Sequence, residues 1–295
     1  MSLPIYNNHN IQYSIKCERL LKYSSIPVYL KWNPFIKSGY RTSYTIKQCI
    51  KSIFQFSNES VNIWTHLIGF IIFIYYLIVD NVIQLPLKNG SFNDHLIISI
   101  GLLCYIICML SSVGYHLFSC HSEPMQQFWF SIDLTGICIG LIGCYLPGIY
   151  FAYYCFSAWQ KFYMFFTLSL AISVLIFQLS PRYRGHESFC KRTSIFLVLA
   201  IFGVVPTVHW IYLSNGFRSE IVSIFLQRVI RLYVLGALSF IFYFCKIPER
   251  FWPGRFDFIG SSHQIWHVLV LICFYDWHSS GVELFDYRIT HGCNI

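Results

Sequence analysis

The chain has 295 residues, of which 56% are hydrophobic and 12% charged, with a mean hydropathy of +0.53 and a net charge of +8. A soluble globule carries about 25% charged residues, so these values exclude one and describe a polytopic membrane protein. The N-terminus, MSLPIYNNHNIQYS, lacks the basic patch, apolar core and small-residue cleavage site of a signal peptide, so the first apolar helix is expected to start insertion itself.

Residues 1–57 carry Lys16, Arg19, Lys22, Lys31, Lys37, Arg41, Lys47 and Lys51, a basic tail suited to an anionic membrane surface and not to a nucleic acid. Within it Ile46, Cys49, Ile50, Ile53 and Phe54 recur at helical spacing while Lys47, Gln48, Lys51 and Ser52 take the other face. That pattern predicts a short amphipathic helix, either lying along the membrane surface or packed against the rest of the protein.

A helix needs about 20 mainly apolar residues to cross a bilayer. Seven such runs follow: Val61 to Val79, His95 to Tyr115, Phe128 to Tyr150, Phe162 to Leu179, Ser194 to Leu213, Ile224 to Phe244 and Ser262 to Phe285. The expected fold is an all-α integral membrane protein, a seven-helix bundle over residues 58–288 flanked by the 1–57 tail and a C-terminal tail at 289–295. The tail and the loops after the second, fourth and sixth runs hold fifteen of the twenty-one Lys and Arg residues, Arg182, Arg184, Lys191, Arg192, Lys246, Arg250 and Arg255 among them. By the positive-inside rule the N-terminus is cytoplasmic and the C-terminus luminal or extracellular, opposite to a G-protein-coupled receptor. Arg228 and Arg231 run against this bias and are expected to snorkel to the interface.

Of the twelve cysteines, Cys104, Cys108, Cys138, Cys144, Cys245 and Cys273 fall inside apolar runs, where cysteine acts as a small hydrophobe. No C-x-x-C pair suggests a thiolate zinc site. Cys155 and Cys293 share the non-cytoplasmic side and are available to pair.

The seventh run opens GSSHQIWHVLV, with His263 and His267 one helical turn apart and therefore on one face. The second run ends SSVGYHLFSCHSE, which brings His116 to the same side with Ser112 one turn before it, and Asp133 lies in the first turns of the third run. Three imidazoles and a carboxylate thus arrive at one membrane depth, where ionisable groups are costly and mark function. Three histidines with water in the fourth position form an open zinc site whose bound water is a nucleophile near neutral pH. Asp133 is the candidate proton acceptor and Ser112 the candidate for orienting water or an oxyanion. Gln264 stands where zinc metalloproteases of the H-E-x-x-H type place glutamate, which argues against that class. Haem would use two histidines and leave the third and Asp133 unexplained. His66, His95, His121 and His209 are expected to be satisfied polar residues in helix contacts or at the interface, and Gly136-x-x-x-Gly140 is a weak signal of close helix packing.

With those residues in view, the blocks NPFIKSGYR from Asn33, SNESVNIWTHLIGF from Ser57, SSVGYHLFSCHSE from Ser111, SIDLTGI from Ser131 and PERFWPGRFDFIGSSHQIWHVLV from Pro248 resemble the progestin and adipoQ receptor family. The resemblance covers nearly all of the chain after about the first thirty residues. It implies a seven-helix membrane protein with an inside N-terminus, zinc held by His116, His263 and His267, and Asp133 approaching the metal through water. The wording of the blocks is most similar to a branch thought of as Golgi-resident, acting as a signalling regulator that holds a cytosolic Raf-type kinase through its cytoplasmic part, here residues 1–57, and so touching MAPK regulation. The wider family implies two further readings: a zinc-dependent amide hydrolase acting on ceramide-like lipids, and a receptor for an extracellular hormone at the plasma membrane.

Overall fold

The computed structural model describes residues 19–180 and 188–293. Lys16, Arg182 and Arg184, used in the charge count above, and residues 294–295 of the C-terminal tail lie outside them. Among the described residues seven helices are long and apolar enough to cross a membrane, and the one β feature is the isolated Leu21–Tyr40 bridge. A short helix, α1 (Ile46–Lys51), precedes them. The seven are α2 (Ser60–Leu87), α3 (Phe92–Phe118), α4 (Glu123–Ala152), α5 (Ser157–Leu179), α6 (Cys190–Leu213), α7 (Glu220–Cys245) and α8 (Ser262–His291).

Every expected run is a helix, but several extend further, because hydropathy does not register polar residues that find partners. The first run was expected to stop at Val79, yet α2 continues through a π-helical turn, Asp80–Gln84. There the buried Asp80 carboxylate lies 2.8 Å from His278 Nε2 of α8. The last helix passes Phe285 because Arg288 is buried and donates to the carbonyls of Phe151 at 3.2 Å and Ala152 at 3.0 Å, at the C-terminal end of α4. Cys155 and Cys293 form a disulfide that ties the end of α8 to the α4–α5 loop. Arg228 and Arg231 do more than reach for an interface: they pair across to α8, with Glu283 at 2.8 Å and Asp276 at 2.6 Å.

The α3 helix is the most enclosed, and small residues let α4 approach it. A Cβ on Gly136 would stand 2.7 Å from Ser111 Cβ, and one on Gly143 would stand 2.7 Å from Cys104 Cβ and 2.9 Å from the Gly101 carbonyl. Gly140 instead faces α8, at 2.7 Å from Phe274 Cζ. The glycine spacing read from sequence therefore serves two neighbours. Above this contact Phe73, Leu102, Tyr105, Met109 and Phe274 form the centre of the core, with Tyr105 and Phe274 stacked at 4.4 Å between ring centroids.

From residue 19 the N-terminal segment is folded against the end of the bundle where α3 stops and α4 and α8 start. Asp257, before α8, accepts from the Lys37 N–H at 2.7 Å and the Ser38 hydroxyl at 2.6 Å. Gly39 turns the chain at φ +89°, where an added Cβ would stand 3.1 Å from Asn58 N and 3.2 Å from Phe258 Cε1, a conformation and a space that favour glycine. Thr45 begins α1 in a capping box with Gln48, accepting from its N–H at 3.4 Å while Gln48 Oε1 accepts the Thr45 N–H at 2.8 Å. The helix buries Cys49 and leaves Ile46 and Ile50 exposed beside Lys47 and Lys51, while Ser52, expected on the polar face, is buried just beyond its end.

Candidate metal centre

The first turn of α8 is fixed from outside. Gln264 Oε1 accepts the N–H groups of Gly260 at 2.7 Å and Ser261 at 3.3 Å, and its amide donates to the carbonyls of Asn58 at 3.2 Å and Phe258 at 2.9 Å. Beside it the fully buried Glu249 accepts the Ser262 N–H at 2.7 Å, the Ser262 hydroxyl and the Asn33 amide at 3.0 Å. The donors left open at a helix start are thus satisfied by side chains. Gln264 holds the helix in place, which gives a structural reason for an amide beside the first histidine.

That turn presents His263 and His267 with their Nε2 atoms 3.2 Å apart, and His116 from the last turn of α3 places its Nε2 3.2 Å from that of His263. The three ligand atoms all lie within 4.8 Å of one another. Two Zn–N bonds of about 2.0–2.1 Å at a tetrahedral angle separate their nitrogens by about 3.3 Å, close to this spacing. The three nitrogens converge away from bulk solvent, with His116 and His267 each 2% exposed. The donor set is therefore compatible with a metal ion.

Glu59, a residue that motif reading passed over, completes the arrangement from just before α2. Its Oε2 lies 2.7 Å from His116 Nδ1 and accepts the Asn62 amide at 2.6 Å. Burial pushes the Glu59 carboxyl up, but the adjoining His116 ring, with its hydrogen bond, and the bond from Asn62 outweigh it and hold the carboxyl below its ordinary range. An ionised carboxylate on Nδ1 keeps the proton there and turns the Nε2 lone pair toward the other two histidines.

His66 departs from the satisfied role expected of it. It is buried, neither ring nitrogen has a partner, and it stacks on His267 with centroids 3.9 Å apart. The others fit: His95 lies 2.9 Å from Asn81 Oδ1, His121 2.6 Å from the Tyr44 carbonyl and His209 2.9 Å from the Tyr163 hydroxyl. A signal for the missed pair existed, since Glu59, Asn62 and His66 fall at i, i+3 and i+7, a polar stripe on an apolar helix.

Asp133 is outside the three-histidine group, with the Ser112 hydroxyl as a hydrogen-bond partner of its carboxyl. Ser112, Asp133, His263 and His267 line one cavity of about 1430 Å³ that runs between α3, α4, α6, α7 and α8. The cavity wall beyond them is mainly apolar, with Phe196, Val270 and Leu284 along it.

Residues 54–277 match the family described as Haemolysin-III related. The chain is 45% identical to progestin and adipoQ receptor family member 3 of Mus musculus and 44% identical to that of Homo sapiens, each over 93% of this chain and 89% of the relative. It is 31% identical to heptahelical transmembrane protein 1 of Arabidopsis thaliana, over 96% of this chain and 86% of the relative. The chain belongs to the haemolysin-III-related family, that of the progestin and adipoQ receptors, as a multi-pass seven-helix membrane protein.

Proposed function

We propose that this protein is a zinc-holding seven-helix signalling regulator of the Golgi membrane, with its N-terminus in the cytosol, that recruits a Raf-type kinase through residues 1–57. The observation that carries the metal reading is the convergence of three Nε2 atoms from α3 and α8. His116, His263 and His267 would hold the ion, Glu59 sets the tautomer of His116, and Gln264 with Glu249 fixes the turn that carries the other two. When bound, zinc would supply a crosslink between α3 and α8 and Lewis acidity at the cavity wall. Asp133, which lines the same cavity as His263 and His267 without joining the group, suits a contact through water.

The orientation rests on the charge distribution and gains support from the cysteines. The Cys155–Cys293 disulfide lies at the opposite end of the bundle from the histidines, whereas Cys49 and Cys120 at the histidine end are free thiols. Disulfides persist in the lumen and thiols in the cytosol. On this reading residues 1–57 are the cytosolic part, residues 58–288 the bundle and residues 289–295 the luminal end, which begins with the last residues of α8. Lys22, Lys47 and Lys51 are exposed at the cytosolic end and available to an acidic partner surface.

Because residues from 19 onward buttress the bundle, the kinase reading is tested with a chain lacking residues 1–18 and carrying Lys22→Glu, Lys47→Glu and Lys51→Glu. Loss of Raf-type kinase co-purification, with metal content unchanged, is expected. Undiminished recruitment by this correctly inserted variant would refute it.

A second reading, a zinc-dependent lipid amide hydrolase, is favoured by one observation: the apolar cavity is lined at its histidine end by Ser112 and Asp133. There Asp133 would accept the proton of an attacking water and Ser112 would orient it. Purified protein with stoichiometric zinc should then release fatty acid from ceramide and a His116→Ala, His263→Ala variant should not; equal release from both would exclude it.

A further inference from the structure

The end of the bundle that gathers the histidines also brings two thiols together. Cys49 of α1 and Cys120, just beyond the end of α3, are both buried with their sulfurs 3.6 Å apart. Around them Tyr44, Ile63, Val113 and Leu117 form a small apolar cluster separate from the main core. Neither sulfur belongs to the three-histidine group.

The surroundings distinguish this pair from the solitary thiols of the spanning helices. Arg41 is buried beside it, donating to the Ser52 hydroxyl at 2.5 Å and the His116 carbonyl at 2.6 Å, while Ser52 donates to the Cys49 carbonyl at 2.7 Å. A guanidinium is thus fixed between the turn that follows Cys49 and the last turn of α3. The hydrogen bond between the two sulfurs, with the Arg41 charge, holds the Cys120 thiol below its ordinary range against the effect of burial. That same hydrogen bond, with burial, pushes Cys49 up. The contact between the sulfurs places one to attack and the other to resolve.

We propose that Cys49 and Cys120 are a peroxide-responsive pair that closes to a disulfide and staples α1 to the end of α3. The Cys120 thiolate attacks the O–O bond of hydrogen peroxide; an S–O bond forms, the O–O bond breaks, and the departing hydroxide takes up a proton to leave as water. The Cys49 sulfur then attacks the sulfenic sulfur; the S–S bond forms, the S–O bond breaks, and the hydroxyl leaves as a second water with the proton of Cys49. Two thiols lose two electrons in total and one peroxide becomes two waters. The sulfurs need to close from 3.6 Å to about 2.05 Å, a movement between two groups already in contact. The bond would fix the exposed Ile46, Ile50 and Lys47 surface of α1 against α3. This holds whether or not the histidines bind zinc.

The test exposes full-length protein in lipid nanodiscs to hydrogen peroxide, then unfolds, alkylates and digests it without reduction for mass spectrometry. A crosslinked Cys49–Cys120 peptide, two hydrogens lighter than the separate peptides and released by dithiothreitol, is expected. In Cys49→Ser the Cys120 sulfenic acid should instead be trapped by dimedone. Peroxide that leaves both thiols of the wild type alkylatable, or that carries Cys120 to sulfinic acid with no crosslink, would overturn the proposal. The wild-type result stands without any variant folding.

Discussion

His116 Nδ1 lies 2.7 Å from Glu59 Oε2, so a carboxylate at the start of α2 fixes the ring that α3 offers to the two histidines of α8. Partners of this kind hold a ligand's tautomer and raise its basicity, and losing one costs about 10–100-fold in metal affinity. Glu59→Gln should therefore keep the three histidines and weaken zinc by about that factor, measured by competition with a chelator. Unchanged affinity would mean that the Glu59 contact is structural only.

Asp133 stands near the centre but is not one of the three ligands. Asp133→Asn is expected to retain zinc at the wild-type ratio while abolishing any amide hydrolysis. Zinc loss in this variant, read by elemental analysis, would promote Asp133 to a ligand.

The α3–α4 contact depends on the missing side chain at Gly143, where an added Cβ would meet the Gly101 carbonyl at 2.9 Å, whereas Gly236 of α7 has open space around it. Overpacking of a tight contact costs typically about 1–3 kcal/mol. Gly143→Val should lower the thermal midpoint in detergent and Gly236→Ala should leave it in place; equal shifts would show that the contact can relax.

Orientation is tested with epitope tags. An N-terminal tag should be digested by protease added to selectively permeabilised cells, and a C-terminal tag should survive until the internal membranes are opened. The Cys155–Cys293 bond should be intact in protein extracted under alkylation. The reverse protection pattern would invert the orientation drawn from the basic residues.

The seven helices were legible because about 20 apolar residues in succession admit few other structures in a membrane protein. Their ends were less so: the first and last runs were ended at Val79 and Phe285, yet Asp80 and Arg288 beyond them are each buried with a partner from a distant helix, His278 and the α4 carbonyls. His263 and His267 were legible from helical spacing, and His116 joined them once charge had set the direction of each run. Glu59 and His66 escaped because a single carboxylate at a helix start and a single imidazole on an apolar face look the same whether they serve the solvent, the fold or a metal. Their shared face on α2 acquires meaning only when α2 is packed beside α3 and α8. The association of Cys49 with Cys120 was equally hidden, since it depends on how α1 folds back on the bundle.

The metal content of the purified protein tests the central claim most directly. Wild-type protein, dialysed and analysed by elemental mass spectrometry, should hold about one zinc per chain, and His263→Ala and His267→Ala should each lose most of it while remaining monodisperse. Wild type without zinc, or variants that keep it in full, would contradict a centre built by His116, His263 and His267.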